Sequence, residues 1–347
     1  MTVVNSSHMN DITPKNDFVY LCQPDCSVFA RPVTSDDSDP LPPPPPITGY
    51  DASRVEFVVE FKSSPSHDPF VVPNKQSSKR YPLISTTATA HEVVGQITAY
   101  AAQILSSQYR THLFTILICK DSARLIRWDR AGAIVTEPIS YDNDSYLHDF
   151  LTRYDDATPK TRGHDSTVAD AHPKDVKCAK SVVPELTKEN SFLLITIPDG
   201  SPTPKHYVVP RPRARHDIPT GRWTRASIAY DVQRNQRVFL KDSWRVLIDG
   251  VKPEGEVYDM LHKNQVPNVP RCSLGRDIGD QLHRSYTDTV VETYIGYNPP
   301  CFTPHRHYRL VLDTIGENLH EFDSSIQVVK AVHAAVCGKC RWSCNVP

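Results

Sequence analysis

The stretch Arg237-Val-Phe-Leu-Lys-Asp-Ser-Trp244 decides the fold of the carboxyl-terminal half of this chain. A second apolar run, 226–232, precedes it across the polar residues 233–236, and two such runs around a polar turn predict a β-hairpin. Lys241 directly follows three apolar residues of the second run. Because desolvating an ammonium group is costly unless an anion or carboxylate meets it, we expect Lys241 to have a partner.

Glu254 is the carboxylate that we expect to meet Lys241. Pro253 suits the first position of a helix and predicts a helix over 253–263, with Glu254 in its first turn. The apolar residues that follow share one face of that helix, and Glu254 lies beside this face. Glu256 is the alternative partner, and an interaction with the helix macrodipole is the alternative role of Glu254.

A later apolar strand, predicted over 307–314, leads through Ile315 and Gly316 toward a helix predicted over 324–336. The stretch 289–295 predicts an additional strand or flap before it. A buried strand that leaves through a short glycine-bearing connection toward a helix resembles the hinge of a protein kinase.

Several stretches of the chain resemble the fungal-type protein kinases (the FunK1-like family). In the second half they are the stretch quoted above, Glu254-Gly-Glu-Val-Tyr258 and Tyr308-Arg-Leu-Val-Leu-Asp313. In the first half they are Gly95-Gln-Ile-Thr-Ala-Tyr100 and Ala123-Arg-Leu-Ile-Arg-Trp-Asp-Arg-Ala-Gly132. The likeness covers about residues 50–155 and 190–336.

The resemblance implies a protein-kinase-like small lobe over 191–336, which is an antiparallel sheet with one helix. It also implies ATP and Mg²⁺ as cofactors and the phosphorylation of Ser or Thr in proteins, with the lysine at the nucleotide phosphates and the helix glutamate orienting it. Leu312 would gate the back pocket, and the backbone beyond it would meet the adenine. The residues expected at the nucleotide are Gly221 in the phosphate loop, Lys241, Glu254, Leu312, Asp313, Thr314 and Ile315.

The sequence departs from this family pattern in two places. The loop 219–227 keeps only Gly221, and Trp223 would obstruct the approach of backbone N–H groups to phosphates, so an ordinary strand turn is the alternative. The His-Arg-Asp and Asp-Phe-Gly motifs of kinases do not occur in the sequence. We therefore expect no catalytic and no metal-binding residues in the kinase-like part.

These departures predict a truncated chain that is inactive by itself and ends in an aberrant Cys-rich tail, 337–347. Without a large lobe beneath them, Leu310 and Leu312 are expected to be poorly covered. The alternative is a noncatalytic module that binds a nucleotide or a partner.

The first block, 51–155, predicts a mixed α/β domain. The run 55–61 is β-branched and aromatic and indicates a buried strand, and a helix over 91–106 is predicted to pack on the sheet. Further strands are predicted over 113–119, 123–128 and 133–135, and a closing helix over 146–154. The whole chain is therefore expected to be an α+β protein.

Glu60-Phe61-Lys62 within the first block suggests a second function. It has the acid-x-lysine form of restriction-endonuclease-like nucleases, in which a carboxylate holds Mg²⁺ and a lysine lies near the attacking water. Gln96 and Tyr100 on the next helix fit this site, and Asp51 or Glu56 would supply the second acid. The alternatives are a sheet retained for recognition and a half-buried strand with surface charge.

Composition limits the partners and the location. Lys plus Arg number 39 against 40 Asp plus Glu, which gives no footprint for nucleic acid or for an anionic membrane. No apolar run is long enough for a signal core or a membrane span, so we expect an intracellular protein, cytoplasmic or nuclear, with an unidentified protein substrate or regulatory partner. Residues 1–50 are expected to be disordered and Pro-rich, and 156–190 to be a linker.

Overall fold

A computed structural model describes residues 1–13, 22–30, 47–72, 82–198, 200–213, 218–280, 285–289, 303–316 and 321–345. The chain divides into two compact units. The first comprises Met1–Ser166, Pro212–Gly221 and Thr289–Thr303, and the second comprises Thr167–Arg211, Arg222–Asp288 and Pro304–Pro347. Residues 290–295 of the predicted flap lie outside the described part of the chain.

In its described residues the first unit has one six-stranded sheet, two α-helices and a short 3-10 helix (Pro65–His67). Its elements are β1 (Thr2–Asn5), β2 (Cys26–Phe29), β3 (Val55–Lys62), α1 (Ala88–Ser107), β4 (Leu113–Cys119), β5 (Ser122–Trp128), β6 (Ala133–Val135) and α2 (Tyr146–Asp156). The strands lie in chain order across the sheet. Only the pair β3 and β4 is parallel, because α1 carries the chain from one strand to the other.

Apolar residues on both sides of β3 fix this sheet between its helices. Phe57 and Val59 form a buried cluster with Tyr154 of α2, and α1 packs against β3 and β4. Six consecutive residues of β3 are buried, as is typical of a central strand covered on both faces. The helix begins at Ala88, earlier than predicted, because the Thr87 side chain accepts the Ala90 N–H at 3.2 Å and caps it.

The amino-terminal segment differs from the expectation of disorder. Its β1 pairs with β2, and β2 pairs with β3. Ser6 Oγ donates to the Pro24 carbonyl at 2.6 Å, and Ser6 and Ser27 are fully buried. Both strands are four residues long. Val28 and Phe29 of β2 are buried, and Val28 packs in the cluster of Phe57 and Val59, whereas β1 is mostly exposed and adds backbone hydrogen bonds at the edge. The Pro42 to Pro46 run lies outside the described residues.

The second unit contains a seven-stranded antiparallel sheet. Its elements are β7 (Val168–Asp170), α3 (Pro173–Val182), a 3-10 helix (Pro184–Lys188), β8 (Phe192–Ile197), β9 (Lys205–Pro210), β10 (Arg225–Asp231), β11 (Gln236–Val246), α4 (Glu254–Lys263), β12 (Cys272–Asp277), β13 (Gly279–Asp280), β14 (Ser285–Tyr286), β15 (His305–Leu312) and α5 (Ser325–Asn345). The strand order is β12-β15-β11-β10-β9-β8-β7, and β13 pairs with β14 alone. The lysine hairpin β10–β11 therefore lies near the middle of the sheet.

Residues 156–190 were expected to form a linker, and here the structure differs. Within this stretch α3 and the 3-10 helix bury Ala179, Val183 and Leu186 against Phe192 and Val208 of the sheet. The segment is mostly polar, but its few apolar side chains recur at helical spacing, and one narrow stripe is enough to dock the helix. The second unit thus has α3 as well as α4, where one small-lobe helix was expected.

The end of the second sheet also differs from expectation. Leu310 is fully buried and Leu312 is 8% exposed, because Tyr258, Phe239 and Cys272 pack against their cluster. These leucines were expected to be poorly covered. α5 continues to Asn345, into the stretch 337–347 that was expected to be an aberrant Cys-rich tail. Among the described residues, no helix combines the length and apolar character that crossing a bilayer requires.

Candidate nucleotide site

Lys241 and Glu254 meet in the second unit. Lys241 Nζ lies 2.6 Å from Glu254 Oε2, and the two side chains are 23% and 29% exposed. β11 carries the lysine between β10 and β15, where its Cα pairs with Ala226 and Leu310. The contact is therefore a charge-assisted hydrogen bond on one face of the sheet, and both of its side chains remain partly exposed to solvent.

Two glycines set the position of α4, and with it the position of Glu254. A Cβ on Gly255 would lie 2.7 Å from Tyr308 Oη, and a Cβ on Gly275 would lie 2.5 Å from the same atom. The Gly255 N–H donates to Tyr308 Oη at 2.8 Å. Because neither glycine carries a side chain, the first turn of α4 reaches β12 closely enough to present Glu254 to Lys241.

Sequence reasoning did not find the role of these glycines. A glycine in a helix costs about 1 kcal/mol relative to alanine, so Gly255 at the second position of α4 is a signal that could have indicated close packing. Gly275 interrupts β12, where a glycine often marks the close approach of another backbone. Both signals are local, but the partner Tyr308 is distant in sequence.

The predicted hinge begins at the end of β15. Leu312 pairs with Phe239 and with Cys272, so it lies between neighbouring strands of the sheet. The Asp313 N–H donates to the Arg271 carbonyl at 2.9 Å. The Asp313 N–H is therefore already used within the sheet. Of the two Asp313 backbone groups expected to meet an adenine, the carbonyl is the one left for a ligand. Thr314 is exposed and Ile315 is half-buried.

The Asp313 side chain joins the hinge to the lysine hairpin. Arg234, in the turn between β10 and β11, donates through Nη1 to Asp313 Oδ1 at 2.7 Å and through Nε to Asp231 Oδ2 at 2.7 Å. This bridge fixes the end of β15 relative to the hairpin that carries Lys241.

Gly221 belongs to the first unit, whereas Lys241 belongs to the second. Its φ is +97°, a value that favours glycine, and its N–H donates to the Arg130 carbonyl at 2.8 Å. Nothing lies within 4 Å of a Cβ built at this position. Trp223 was expected to obstruct a phosphate, and it is only 5% exposed with a φ of +41°. The role of Gly221 toward a nucleotide stays a prediction.

A buried ionic network lies beside Lys241 in the chain, and sequence reasoning missed it. Asp242 Oδ2 accepts from Arg309 Nε at 2.7 Å and lies 2.9 Å from His307 Nε2. Burial alone would raise the pKa of Asp242, but the charges and hydrogen bonds of His307 and Arg309 hold it well below its usual range. Because strand residues alternate, this network lies on the opposite face from Lys241 and supports the strand from behind.

Neither acid expected to complete the acid-x-lysine motif of the first unit joins it. His164 Nε2 lies 3.0 Å from both carboxylate oxygens of Glu56, and Arg110 Nη2 lies 3.4 Å from Oε2. Asp51 accepts from the Ser53 N–H at 2.9 Å and stabilises a turn.

Comparison with known proteins gives one family match. The model described as fungal protein kinase matches residues 82–298, which is more than half of the chain. The matched stretch contains Gly221, Lys241 and Glu254 and ends before Leu312. No curated protein and no solved structure gives a significant match.

Proposed function

The chain belongs to the fungal protein kinase family, and from this membership we propose that the second unit binds ATP with Mg²⁺ beside Lys241. The 2.6 Å contact between Lys241 Nζ and Glu254 Oε2 carries the proposal. In protein kinases a strand lysine paired with a helix glutamate must be in place for the lysine to hold the nucleotide phosphates. Here the two side chains come from the strand and the helix that the sequence indicated.

Elements around this pair support a nucleotide site. Leu312 is the last residue of β15, which pairs with the lysine strand β11. The backbone of Asp313, Thr314 and Ile315 therefore leaves the sheet beside that strand. We propose that the Asp313 carbonyl and the backbone of the next two residues meet the adenine, and that Leu312 borders the back of its pocket.

The residues present favour binding over phosphoryl transfer. A kinase needs a catalytic-loop aspartate and a metal-binding aspartate, and the His-Arg-Asp and Asp-Phe-Gly motifs do not occur in these 347 residues. We propose that this chain by itself holds the nucleotide without transferring phosphate, as a pseudokinase does. The family activity, phosphorylation of Ser or Thr in a protein substrate, would then need a catalytic-loop aspartate and a metal-binding aspartate from outside these 347 residues.

Nucleotide titration of the purified full chain tests the proposal. Calorimetry with ATP, with and without Mg²⁺, should detect one site per chain. Lys241→Ala should weaken binding at least tenfold, or about 1.4 kcal/mol, because the phosphates lose their ammonium. Glu254→Gln should weaken it less, because the lysine remains but is no longer held by a charge.

Lys252→Ala is the matched control, since Lys252 is an exposed lysine of the same unit and should leave the affinity unchanged. The proposal fails if the folded chain shows no ATP binding at millimolar concentration. It also fails if Lys241→Ala and Lys252→Ala bind ATP equally well.

A further inference from the structure

A compact polar cluster occupies the end of β3 in the first unit. Lys62 Nζ lies 2.7 Å from Glu60 Oε1 and 2.8 Å from Gln96 Oε1. Gln96 Nε2 donates to Glu60 Oε1 at 2.7 Å and to Tyr100 Oη at 2.7 Å. Lys62 from the same strand and Gln96 from α1 thus both donate to one carboxylate oxygen, Glu60 Oε1.

The other oxygen of this carboxylate is buried without a hydrogen-bond partner. Glu60 is 3% exposed, and its Oε2 accepts no hydrogen bond within the described residues. A buried polar atom left unpaired is costly, and in native proteins such an atom calls for an explanation, an ion being one. Because Lys62 and Gln96 both bind Oε1, they leave Oε2 as the position for a further positive group.

A second carboxylate, that of Asp25, lies near Glu60. Asp25 immediately precedes β2, and its Oδ2 accepts the N–H of Phe61, the residue after Glu60, at 2.8 Å. Burial raises the pKa of Glu60, and the hydrogen bond and charge of Lys62 lower it. The charge of Asp25 raises this pKa, whereas a backbone contact of Asp25 lowers it. Glu60 therefore has one ammonium and a second carboxylate in its surroundings.

Mg²⁺ prefers carboxylate oxygens and retains several waters, so a site with two carboxylates and one open side suits it. The Lys62 side chain is 20% exposed, and the cluster opens to solvent on its side. A cation on Glu60 would weaken the contact between Lys62 and this carboxylate, and the ammonium would then need another anion. A phosphate bound to the same cation would supply that anion.

We propose that Glu60 and Asp25 bind a divalent cation, and that this cation together with Lys62 hydrolyses a phosphodiester of nucleic acid. A cation-bound water, made more acidic by the metal, loses a proton to solvent. Its oxygen forms a bond to phosphorus, and the bond from phosphorus to the leaving sugar oxygen breaks. That oxygen takes a proton from a second water, while Lys62 stabilises the charge that develops on the phosphate oxygens.

Cation binding is tested first, on the full chain without nucleotide, so that failure of the ATP site cannot affect the result. Electron paramagnetic resonance with Mn²⁺ should count one bound ion per chain that Mg²⁺ displaces. Glu60→Gln and Asp25→Asn should each weaken Mn²⁺ binding at least tenfold. Glu92→Gln is the control, because it changes an exposed acid of α1 and should leave the affinity unchanged.

Lys62→Met separates a functional site from a structural ion pair. In this variant Mn²⁺ affinity should be kept or increased, since the cation no longer competes with an ammonium for Glu60. Mg²⁺-dependent cleavage of labelled single-stranded and duplex DNA should be present in the wild-type chain. It should be lost in Lys62→Met, Glu60→Gln and Asp25→Asn, each shown by circular dichroism to be folded.

Absence of Mn²⁺ binding by the wild-type chain, or Mn²⁺ binding that Glu60→Gln leaves unchanged, would overturn the cation site. Mn²⁺ bound at Glu60 without cleavage of either DNA would overturn the hydrolytic part of the proposal. Cleavage that persists in Lys62→Met would overturn the role given to the lysine.

Discussion

Asp242 and Lys241 are neighbours in the chain, yet the Asp242 side chain is buried and the Lys241 side chain is partly exposed. The Asp242 carboxylate is satisfied by Arg309, which is fully buried and also donates to Thr167 Oγ1 at 2.6 Å. His307, the second partner of Asp242, stacks on Trp244 with ring centroids 4.9 Å apart. The strand that carries Lys241 is therefore held by ionic contacts on one face while its other face meets Glu254.

Asp242→Asn should lower the free energy of unfolding by roughly 3–5 kcal/mol, because it removes the buried negative charge that Arg309 and His307 both contact. Urea-induced unfolding measures this change. Asp249→Asn is the control, since Asp249 is exposed in the same unit and should change stability by less than about 0.5 kcal/mol. A loss in Asp242→Asn no larger than in the control would contradict the structural role of the network.

Individual residues were predictable where their chemistry conflicts with their neighbours in sequence. Lys241 stands directly after an apolar run, so its need for a carboxylate could be inferred, and Glu254 follows at the start of the next helix. Asp25 could not be found this way, because it follows a proline in a polar segment and approaches Glu60 only through strand pairing. Pairing between distant segments leaves no periodic signal at either residue.

At the scale of elements, α4 depends on the narrow contact between its first turn and β12. Gly255 and Gly275 face each other, with a Cβ on Gly275 lying 2.9 Å from the Gly255 Cα. Tyr308 Oη lies between them and accepts the Gly255 N–H. Any added side chain here would push the helix outward and move Glu254 away from Lys241.

Gly255→Ala should destabilise the chain by about 1–3 kcal/mol through overpacking against Tyr308 Oη, and should also weaken ATP binding. Tyr308→Phe alone should cost about 1 kcal/mol, the value of one hydrogen bond. In the double variant the hydroxyl that meets the new Cβ is gone, so the combined cost should be smaller than the sum. A double-mutant cycle by urea unfolding tests this, and simple additivity would show that the clash is absent.

Long apolar elements were predicted within a few residues, and short polar ones were not. The runs of β3 and β4 agree with the strands predicted over 55–61 and 113–119 because β-branched, aliphatic and aromatic residues dominate them. In β1 and β7 the strands have four and three residues and are mostly exposed, so hydrogen bonding to a neighbour forms them rather than their own composition. α3 was not predicted because most of its residues are polar and its few apolar residues give only a weak helical periodicity.

At the scale of the whole molecule, the two units are not successive stretches of sequence. Pro212–Gly221 and Thr289–Thr303 belong to the first unit, although the second unit surrounds them in the chain. The sequence predicted contiguous blocks, 51–155 and 191–336, because composition changes mark boundaries along the chain and carry no information about segments that return. Gly221 was for this reason assigned to the same block as Lys241.

The first unit should lose stability in acid through Glu56. Burial would raise the pKa of Glu56, but His164, Arg110 and Arg162 lower it from 4.5 to about 2. Since the folded-state pKa is the lower one, its stabilisation is present above pH 4.5 and is lost as the pH falls toward 2. The difference in unfolding free energy between wild type and Glu56→Gln should therefore shrink by about 3 kcal/mol over this range.

Urea unfolding followed by circular dichroism at several pH values measures that difference. Asp142→Asn, which changes an exposed acid of the same unit, should show no such pH-dependent difference from wild type. A wild-type minus Glu56→Gln difference that stays constant from pH 6 to pH 3 would contradict the assigned contacts.

The position of β15 between β11 and β12 has a consequence for synthesis on the ribosome. β15 is made last of the three strands, yet it supplies the hydrogen-bonding partner of both neighbours. A nascent chain that has emerged only as far as β12 carries two unpaired strand edges, one of them beside Lys241. Until Leu312 has left the exit tunnel, β11 and β12 lack this partner, and their unpaired edges are surfaces for a chaperone to shield.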